Sequence, residues 1–407
     1  MADWCGADTV EAPPAPQVAP RNLRRRRNGL RAGAMPALAA LHDDLLSLDA
    51  AARRRALAPR RGLDFSSNDY LGLAGSPRIA AAIERGIADG VPVGSGGSRL
   101  LRGNHPAHVA LEEAAATFFG SEAALFFSTG FAANACFFAT VPQRGDLILY
   151  DALSHASVHE GLRLARAEHR AFAHNDAQAA DDALAAWRAD GATGTPWIAV
   201  ESLYSMDGDR APLADLAAVA ARHDAMLVID EAHATGVFGA DGRGLAAGIA
   251  PDRRVTLHTC GKALGIEGAL LACPAVVRDC LINRGRAFIF STAPSPLIAL
   301  AVREALAILG DEPGRRDRLA ALVAHAERAL AACGVAATGS QILPLVLGDD
   351  ARTMAVATRL QAAGFDVRGI RPPTVPAGTA RLRLSLTLNV TAGDIDALAV
   401  ALKDSLA

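Results

Sequence analysis

Apolar positions recur at helical spacing from about residue 36 to 58, in MPALAALHDDLLSLDAAARRR and the residues after it. LDFSSNDYLGL then reads as a strand and turn, VPVGSGGSRLLRGNHPAH as a glycine-rich loop, and HVALEEAAATFFG as an amphipathic helix. Beyond it short apolar runs alternate with helical segments. ALFFS precedes a helix in FAANACFFAT, and DLILYD precedes one in HASVHEGLRLARA. WIAVES follows, LADLAAVAARH leads into MLVID, and VTLHTC closes the series. This strand–helix–strand repetition predicts an α/β fold with a mostly parallel, doubly wound sheet. After FIFSTAPSP the spacing predicts a helix from Pro296 to near Leu309. A helix in RRDRLAALVAHAERALAACG, a strand in ILPLVLG, a helix in ARTMAVATRLQAAGF and an alternating strand in RLRLSLT complete a smaller α+β region. The expected organisation is a tail over residues 1–34, an N-terminal segment over 35–75, a large domain over 76–310 and a small C-terminal α+β domain over 311–407.

In open α/β sheets ligands bind beyond the carboxyl ends of the strands. His155 follows LILYD, Ser205 follows WIAVES, Asp230 and His233 follow MLVID, and Lys262 follows VTLHTC. Four strand ends thus carry polar side chains toward one crevice, which no single motif would establish.

Composition narrows the reading. The chain has 407 residues, 51% hydrophobic and 21% charged, enough for a large buried core. A formal net charge of −2 gives no nucleic-acid or anionic-membrane surface to account for. The six cysteines (Cys5, Cys136, Cys260, Cys273, Cys280, Cys333) contain no CxxC, so reduced thiols in a cytoplasmic protein are expected rather than disulfides or zinc. No apolar run is long enough to span a bilayer. The tail holds EAPPAPQVAP and the basic block RNLRRRRNGLRAG, without a secretory apolar core. Three readings stand for it: a disordered tail, a nucleic-acid or targeting patch, and a translation start at Met35.

Lys262, in a glycine-flanked turn, and Asp230, at a buried strand tip about thirty residues earlier, are what a pyridoxal phosphate (PLP) enzyme needs. The lysine amine forms the Schiff base, and the carboxylate keeps the pyridine nitrogen protonated. STGFAAN offers a phosphate cradle, with Gly130 allowing close approach and a helix starting near Phe131. The Thr259 hydroxyl could reach the same phosphate. His155 could stack on the ring, against the plainer reading of a capping histidine. Ser205 and His233 could hydrogen-bond the phenolic oxygen. Arg383, on the alternating strand, suits a carboxylate, against the plainer reading of a surface arginine on an edge strand. Arg371 lies on the proline-stiffened loop before it. Competing motifs fail: VIDEAH lacks its P-loop partner, since Thr256 and Ala263 stand where that motif needs glycine and Ser/Thr. Arg99 occupies the third-glycine position of a dinucleotide fingerprint in GSGGSR. No metal site is expected, because no second His/Asp cluster has ligand spacing.

The strings SSNDYLGL, GSGGS, STGFAAN, LSHAS, AHND, SMDGDRAPL, DEAHATGVFG, TCGKALG, FSTAPSP and IRPPTVPAGTARLRLSL resemble those of the α-oxoamine synthases, fold-type I PLP enzymes built like the aspartate aminotransferases. The similarity runs from about Ala37 to the C-terminus. AHND and the last string point to the branch that serves biotin synthesis. The resemblance implies an acyltransferase joining L-alanine to a pimeloyl thioester of CoA or an acyl carrier protein. Its nearest alternative is the glycine-plus-acetyl-CoA branch, and a non-catalytic relative is a third. It further implies Lys262 as the Schiff-base lysine, His155 as the stacking ring and Asp230 as the pyridinium partner. Ser205 and His233 fall at the phenolic oxygen, and Gly130, Phe131 and Thr259 at the phosphate. Thr292 would reach in from the other subunit of a homodimer with shared sites. Asn68 and Arg383 would hold the amino-acid carboxylate, and Arg53 and Thr374 the substrate. The chain departs from the family at Glu267, a charge in place of a small residue, and at SRLLRGNH.

Overall fold

A computed structural model describes residues 36–407, which form two compact units dividing after Ala56. The basic stretch and proline-rich segment of the first 34 residues lie outside the described residues. The first unit holds helix α1 (Pro36–Ala50). It stops short of the expected 58 because Ala52 takes a left-handed φ of 55° and the amides of Arg53 and Arg54 fold back onto the Leu48 carbonyl.

The second unit, Leu57–Ala407, begins with β1 (Leu63–Asp64), α2 (Pro77–Ala88) and α3 (Pro106–Phe119). The alternating series follows as β2 (Ala123–Phe127), α4 (Gly130–Thr140), β3 (Leu147–Asp151), α5 (Ala156–Leu164), β4 (Glu168–Phe172), α6 (Ala177–Ala189), β5 (Pro196–Glu201), α7 (Leu213–His223), β6 (Met226–Asp230), β7 (Arg254–Thr259) and β8 (Ala269–Cys273). Then come α8 (Ala275–Arg284), α9 (Arg286–Ile289), α10 (Pro296–Asp311), α11 (Gly314–Leu330), β9 (Ile342–Gly348), α12 (Asp350–Ala362), β10 (Phe365–Asp366), β11 (Arg368–Ile370), β12 (Ala380–Ser385) and α13 (Ala392–Leu406).

Seven strands form the main sheet in the order β2-β8-β7-β6-β5-β3-β4. Only β8 runs antiparallel to its neighbours. Successive residues of one strand enter different cores. Ile148, Ala199 and Val228 pack with α4, α5 and α8, whereas Leu149, Ile198 and Leu227 pack with α6 and α7. That two-sided burial is the doubly wound arrangement, and it explains why the strands read as continuous apolar runs. Two strands of this sheet are not anticipated from the sequence. β4, EHRAF, is a largely exposed edge strand with no apolar run, and β8 follows the lysine turn without a helix between.

A three-stranded antiparallel sheet, β11-β12-β9, lies in the C-terminal part. The alternation in RLRLSL predicts a half-exposed strand, but all six residues of β12 are buried. β12 is the central strand, and its arginines are buried, Arg381 against Asp207 and Arg383 against Ser205, Asn68 and Tyr70. The expected boundary near 310 falls between α10 and α11, and one hydrophobic core runs across it from Phe126 and Val302 to Leu382 and Leu398. No described helix is long and apolar enough to cross a membrane.

Candidate active site

A cavity of about 210 Å³ opens where β5, β6 and β7 end and α4 and α5 begin. Its walls include Gly130, Phe131, His155, Glu201, Asp230, His233, Thr259 and Lys262. Parallel register produces this convergence: Glu201 pairs with Asp230, and Asp230 with Leu257, so neighbouring strands deliver their last residues side by side. A larger hollow of about 520 Å³ at the starts of α6 and α7 is an open surface groove that gathers none of these groups.

Lys262 stands in the turn between β7 and β8, with Gly265 and Gly268 in left-handed conformations. Side chains there would strike the Leu73–Ala74 backbone and the Phe126 ring. Burial depresses the Lys262 amine to about 8; Asp230 and Glu201 oppose that shift, and Arg383 adds to it. The neutral amine is therefore accessible near neutral pH, as a nucleophile or base requires.

Asp230 is held by two donors, Asn134 Nδ2 to Oδ2 at 2.8 Å and the Ala232 N–H to Oδ1 at 2.9 Å. Asn134 Nδ2 also donates to Ser157 Oγ at 3.0 Å. Ser157 in turn meets His155 Nδ1 through Oγ at 2.8 Å and N–H at 3.2 Å. His155 therefore caps α5 and lines the cavity at once. With Nδ1 accepting, its ring proton sits on Nε2. Shielding from water holds its pKa below the ordinary imidazole value; Asp230 opposes this and Lys262 reinforces it.

The start of α4 could seat an anion. Thr129 Oγ1 caps the helix by accepting from Ala132 N–H at 3.0 Å, while Gly130 and Phe131 face the cavity. A Cβ on Gly130 would sit 3.6 Å from the Thr259 side chain, so glycine keeps that space open. A phosphate seat, a primary amine and a carboxylate spaced around one cavity are the donor set a phosphorylated pyridine aldehyde requires, and the residues fit PLP.

A second network enters from the C-terminal sheet. Arg383, 8% exposed, donates from Nε to the Ser205 carbonyl at 2.6 Å and from Nη2 to Asn68 Oδ1 at 2.9 Å and Tyr70 Oη at 3.3 Å. Tyr70 Oη lies 2.6 Å from His233 Nδ1. Burial holds His233 well below the ordinary value, with Lys262 and Arg383 adding to it, so it serves as a neutral imidazole. No hydrogen bond of Arg383 Nη1 is found among the described residues, which leaves its N–H groups for a carboxylate oxygen.

The remaining expected residues lie elsewhere. Ser205 is one turn beyond the cavity wall, its N–H donating to Glu201 Oε2 at 3.2 Å. Thr292 faces a separate recess with Ser128 and Phe288. Thr374 sits in the β11–β12 loop with its N–H on the Arg371 carbonyl at 3.1 Å. Arg371 Nη1 donates to the Gly369 carbonyl. Arg53 belongs to the N-terminal unit and is described with it.

Glu201, Asn134 and Tyr70 had not been singled out from the sequence. Glu201 is 4% exposed and its Oε1 is buried without a hydrogen-bond partner. Burial and the neighbouring Asp230 charge push it up to about 8, against the pull of Lys262. Between about pH 4.5 and 8 the folded protein then holds a proton that the unfolded chain has released, so stability falls as pH rises through that window. The slope is at most about 1.4 kcal/mol per pH unit. In Glu201→Gln, whose amide oxygen can still accept from Ser205, melting of the cofactor-free protein is expected to vary less between pH 5 and 8. An unchanged slope would place the buried proton elsewhere.

Comparison with known proteins gives the following. The family described as aminotransferase class I and II matches residues 60–402. An 8-amino-7-oxononanoate synthase from Chromobacterium violaceum is 43% identical over 342 residues, 83% of this chain and 88% of the relative. Among solved structures, the Sphingomonas wittichii serine palmitoyltransferase superposes with a TM-score of 0.82 at 29% identity, over 91% of this chain and 96% of that one. A serine palmitoyltransferase from S. paucimobilis with a bound PLP–myriocin aldimine has a TM-score of 0.81 at 26% identity, over 95% of this chain and 98% of that one.

Proposed function

The chain belongs to the class I and II aminotransferase family, and within it we propose that it joins L-alanine to a pimeloyl thioester, releasing carbon dioxide and free thiol and giving 8-amino-7-oxononanoate for biotin synthesis. The observation that carries this reading is Arg383, a buried guanidinium with Nη1 uncommitted among the described residues, coupled through Tyr70 to the cavity that holds Lys262 and Asp230.

Bound in the cavity, PLP supplies an electron sink for the carbanion at the amino-acid α-carbon. Lys262 would hold the cofactor through its amine, and its Nζ, when free, would take the α-proton. Asp230 would keep the ring nitrogen protonated, and His155 would cover the ring face. His233 from the cavity wall, and Ser205 from beside it, would address the phenolic oxygen. Gly130, Phe131 and Thr259 hold the phosphate. Arg383 and Asn68 hold the alanine carboxylate until it leaves as carbon dioxide, and Thr374 contributes to substrate binding. The new bond joins the α-carbon to the thioester carbonyl as the thiol departs, and a proton returns to the α-carbon.

The working unit in this reading is a homodimer. Thr292 lies outside its own chain's cavity and would complete the phosphate seat of a second copy. Exposed Phe290, two residues away, offers the apolar surface that such a contact buries.

A steady-state assay of amino acids against thioesters tests the function. L-alanine with pimeloyl-CoA or a pimeloyl carrier protein is expected to exceed glycine by at least about tenfold in kcat/KM, the scale at which a pocket discriminates one methyl group. D-alanine is expected to bind without turnover. Faster turnover of glycine with acetyl-CoA would replace this reading with the ketobutyrate-forming one.

A further inference from the structure

AHND ends far along the chain from Lys262, yet the fold gives it a specific place. β3 terminates in Asp151, which is fully buried. Its Oδ1 accepts from the Leu153 N–H at 2.8 Å, inside the turn that presents His155, and from His174 Nδ1 at 2.9 Å. Its Oδ2 accepts from the Asn175 N–H at 2.8 Å. The other side of the His174 ring donates from Nε2 to Asp209 Oδ2 at 2.8 Å, an atom that also accepts from Asn175 Nδ2 at 2.6 Å. An imidazole with a carboxylate on each nitrogen needs both N–H groups, so the ring between these aspartates is the imidazolium.

Asp209 lies in a tight turn after β5, closed by the Leu203–Arg210 bridge and by Tyr204 N–H donating to the Asp209 carbonyl at 2.9 Å. The same turn presents the Ser205 carbonyl to Arg383 Nε and the Asp207 carboxylate to Arg381. We propose that Asp151, His174 and Asp209 form an ionic clamp that fixes this turn, and through the Ser205 carbonyl sets the orientation of Arg383 toward the amino-acid carboxylate. His174 is thus a positioning residue, acting through Ser205 and Arg383. The inference rests on the carboxylate-binding reading of Arg383 given above.

The clamp has a pH signature. The groups facing the ring are Asp151 from β3, Asp209 and Tyr204 from the turn after β5, and its own neighbour Asn175; the Tyr204 ring meets it edge-on at 4.4 Å. Burial disfavours the charge, but the two carboxylates more than offset it and raise the His174 pKa above the ordinary value. The clamp is therefore complete at low pH and is lost as pH rises through the raised value.

The test uses holoenzymes of His174→Gln and Asp209→Asn, with the cofactor's visible absorption reporting L-alanine binding. Each variant is expected to raise the L-alanine Kd about tenfold, with cofactor Kd within about twofold and kcat little changed. The double variant should weaken binding no more than either single one, because both break one link. The variant-to-wild-type ratio of Kd should be largest near about pH 6 and shrink toward about pH 9, which also cancels the ionisation of alanine itself. Asp209→Asn carries the test alone if His174→Gln does not fold. Equal losses in alanine binding, cofactor binding and kcat would mean a general loss of structure and overturn the clamp. Arg383→Gln separates the two readings. If it weakens alanine binding while neither clamp variant does, the clamp falls and the Arg383 reading stands. If no variant weakens binding, both fall.

Discussion

Lys262→Ala is expected to lower turnover by at least about 10⁴-fold, roughly 5.5 kcal/mol of activation free energy. One side chain would supply both the attachment point for the cofactor and the base for the α-proton, and no other lysine can substitute. The chain contains two lysines, and the second, Lys403, is exposed on α13, far in sequence from the cavity-lining residues. Borohydride reduction of the loaded wild-type protein should therefore leave its mass label on Lys262, and the variant should take up none there. A label on Lys403, or a variant turning over within tenfold of wild type, would remove Lys262 from the mechanism. Stability gives an independent readout. The Lys262 pKa is depressed to about 8 in the fold, so between about pH 8 and 10.5 the unfolded chain holds a proton that the folded one has lost. The destabilisation from burying this amine is full below that window and fades as pH rises through it. In cofactor-free protein, Lys262→Ala should therefore raise the melting temperature more at pH 7 than at pH 10.

Residues at the strand ends were legible because a buried parallel strand is a continuous apolar run whose first polar residue marks its end. His155, Asp230, His233 and Lys262 were found this way, and all line one cavity. Glu201 obeys the same rule but sits inside WIAVES, where it reads as part of the strand. Its significance depends on β5 lying next to β6, an adjacency set by tertiary packing. Asn134 could have been found: it lies four residues after Gly130 on α4, hence on the same helical face as the anion seat. The burial of the β12 arginines was not legible, because alternation signals a strand with one wet face, and here both faces are covered. The covering residues, Asp207, Ser205 and Asn68, come from segments more than 170 positions away. AHND was recognisable as a string, but its role depended on Asp151 and Asp209 meeting from opposite sides of one ring.

Asp230→Asn is expected to retain cofactor but lose at least about a thousandfold in turnover, roughly 4 kcal/mol, because a neutral pyridine is a weak electron sink. The local geometry makes the substitution harsher than its size suggests. Asp230 Oδ2 accepts from Asn134 Nδ2 and Oδ1 from the Ala232 N–H. An asparagine can keep only one of these, and it sets an NH₂ donor against either Asn134 or Ala232. Loss of the charged partner should also weaken cofactor binding by about 1.5–3 kcal/mol, measurable as a higher Kd by absorbance titration. Asp230→Glu keeps the charge but lengthens the arm, and should fall between wild type and Asp230→Asn in both readouts. If Asp230→Asn keeps near-normal turnover, some other group must hold the ring proton. Glu201 is the one other carboxylate among the described residues lining the cavity, and strand register places it beside Asp230. The double variant Asp230→Asn/Glu201→Gln then decides: a collapse seen only in the double variant would move the role to Glu201. A collapse already complete in Asp230→Asn leaves Glu201 as the buried proton store beside the catalytic carboxylate.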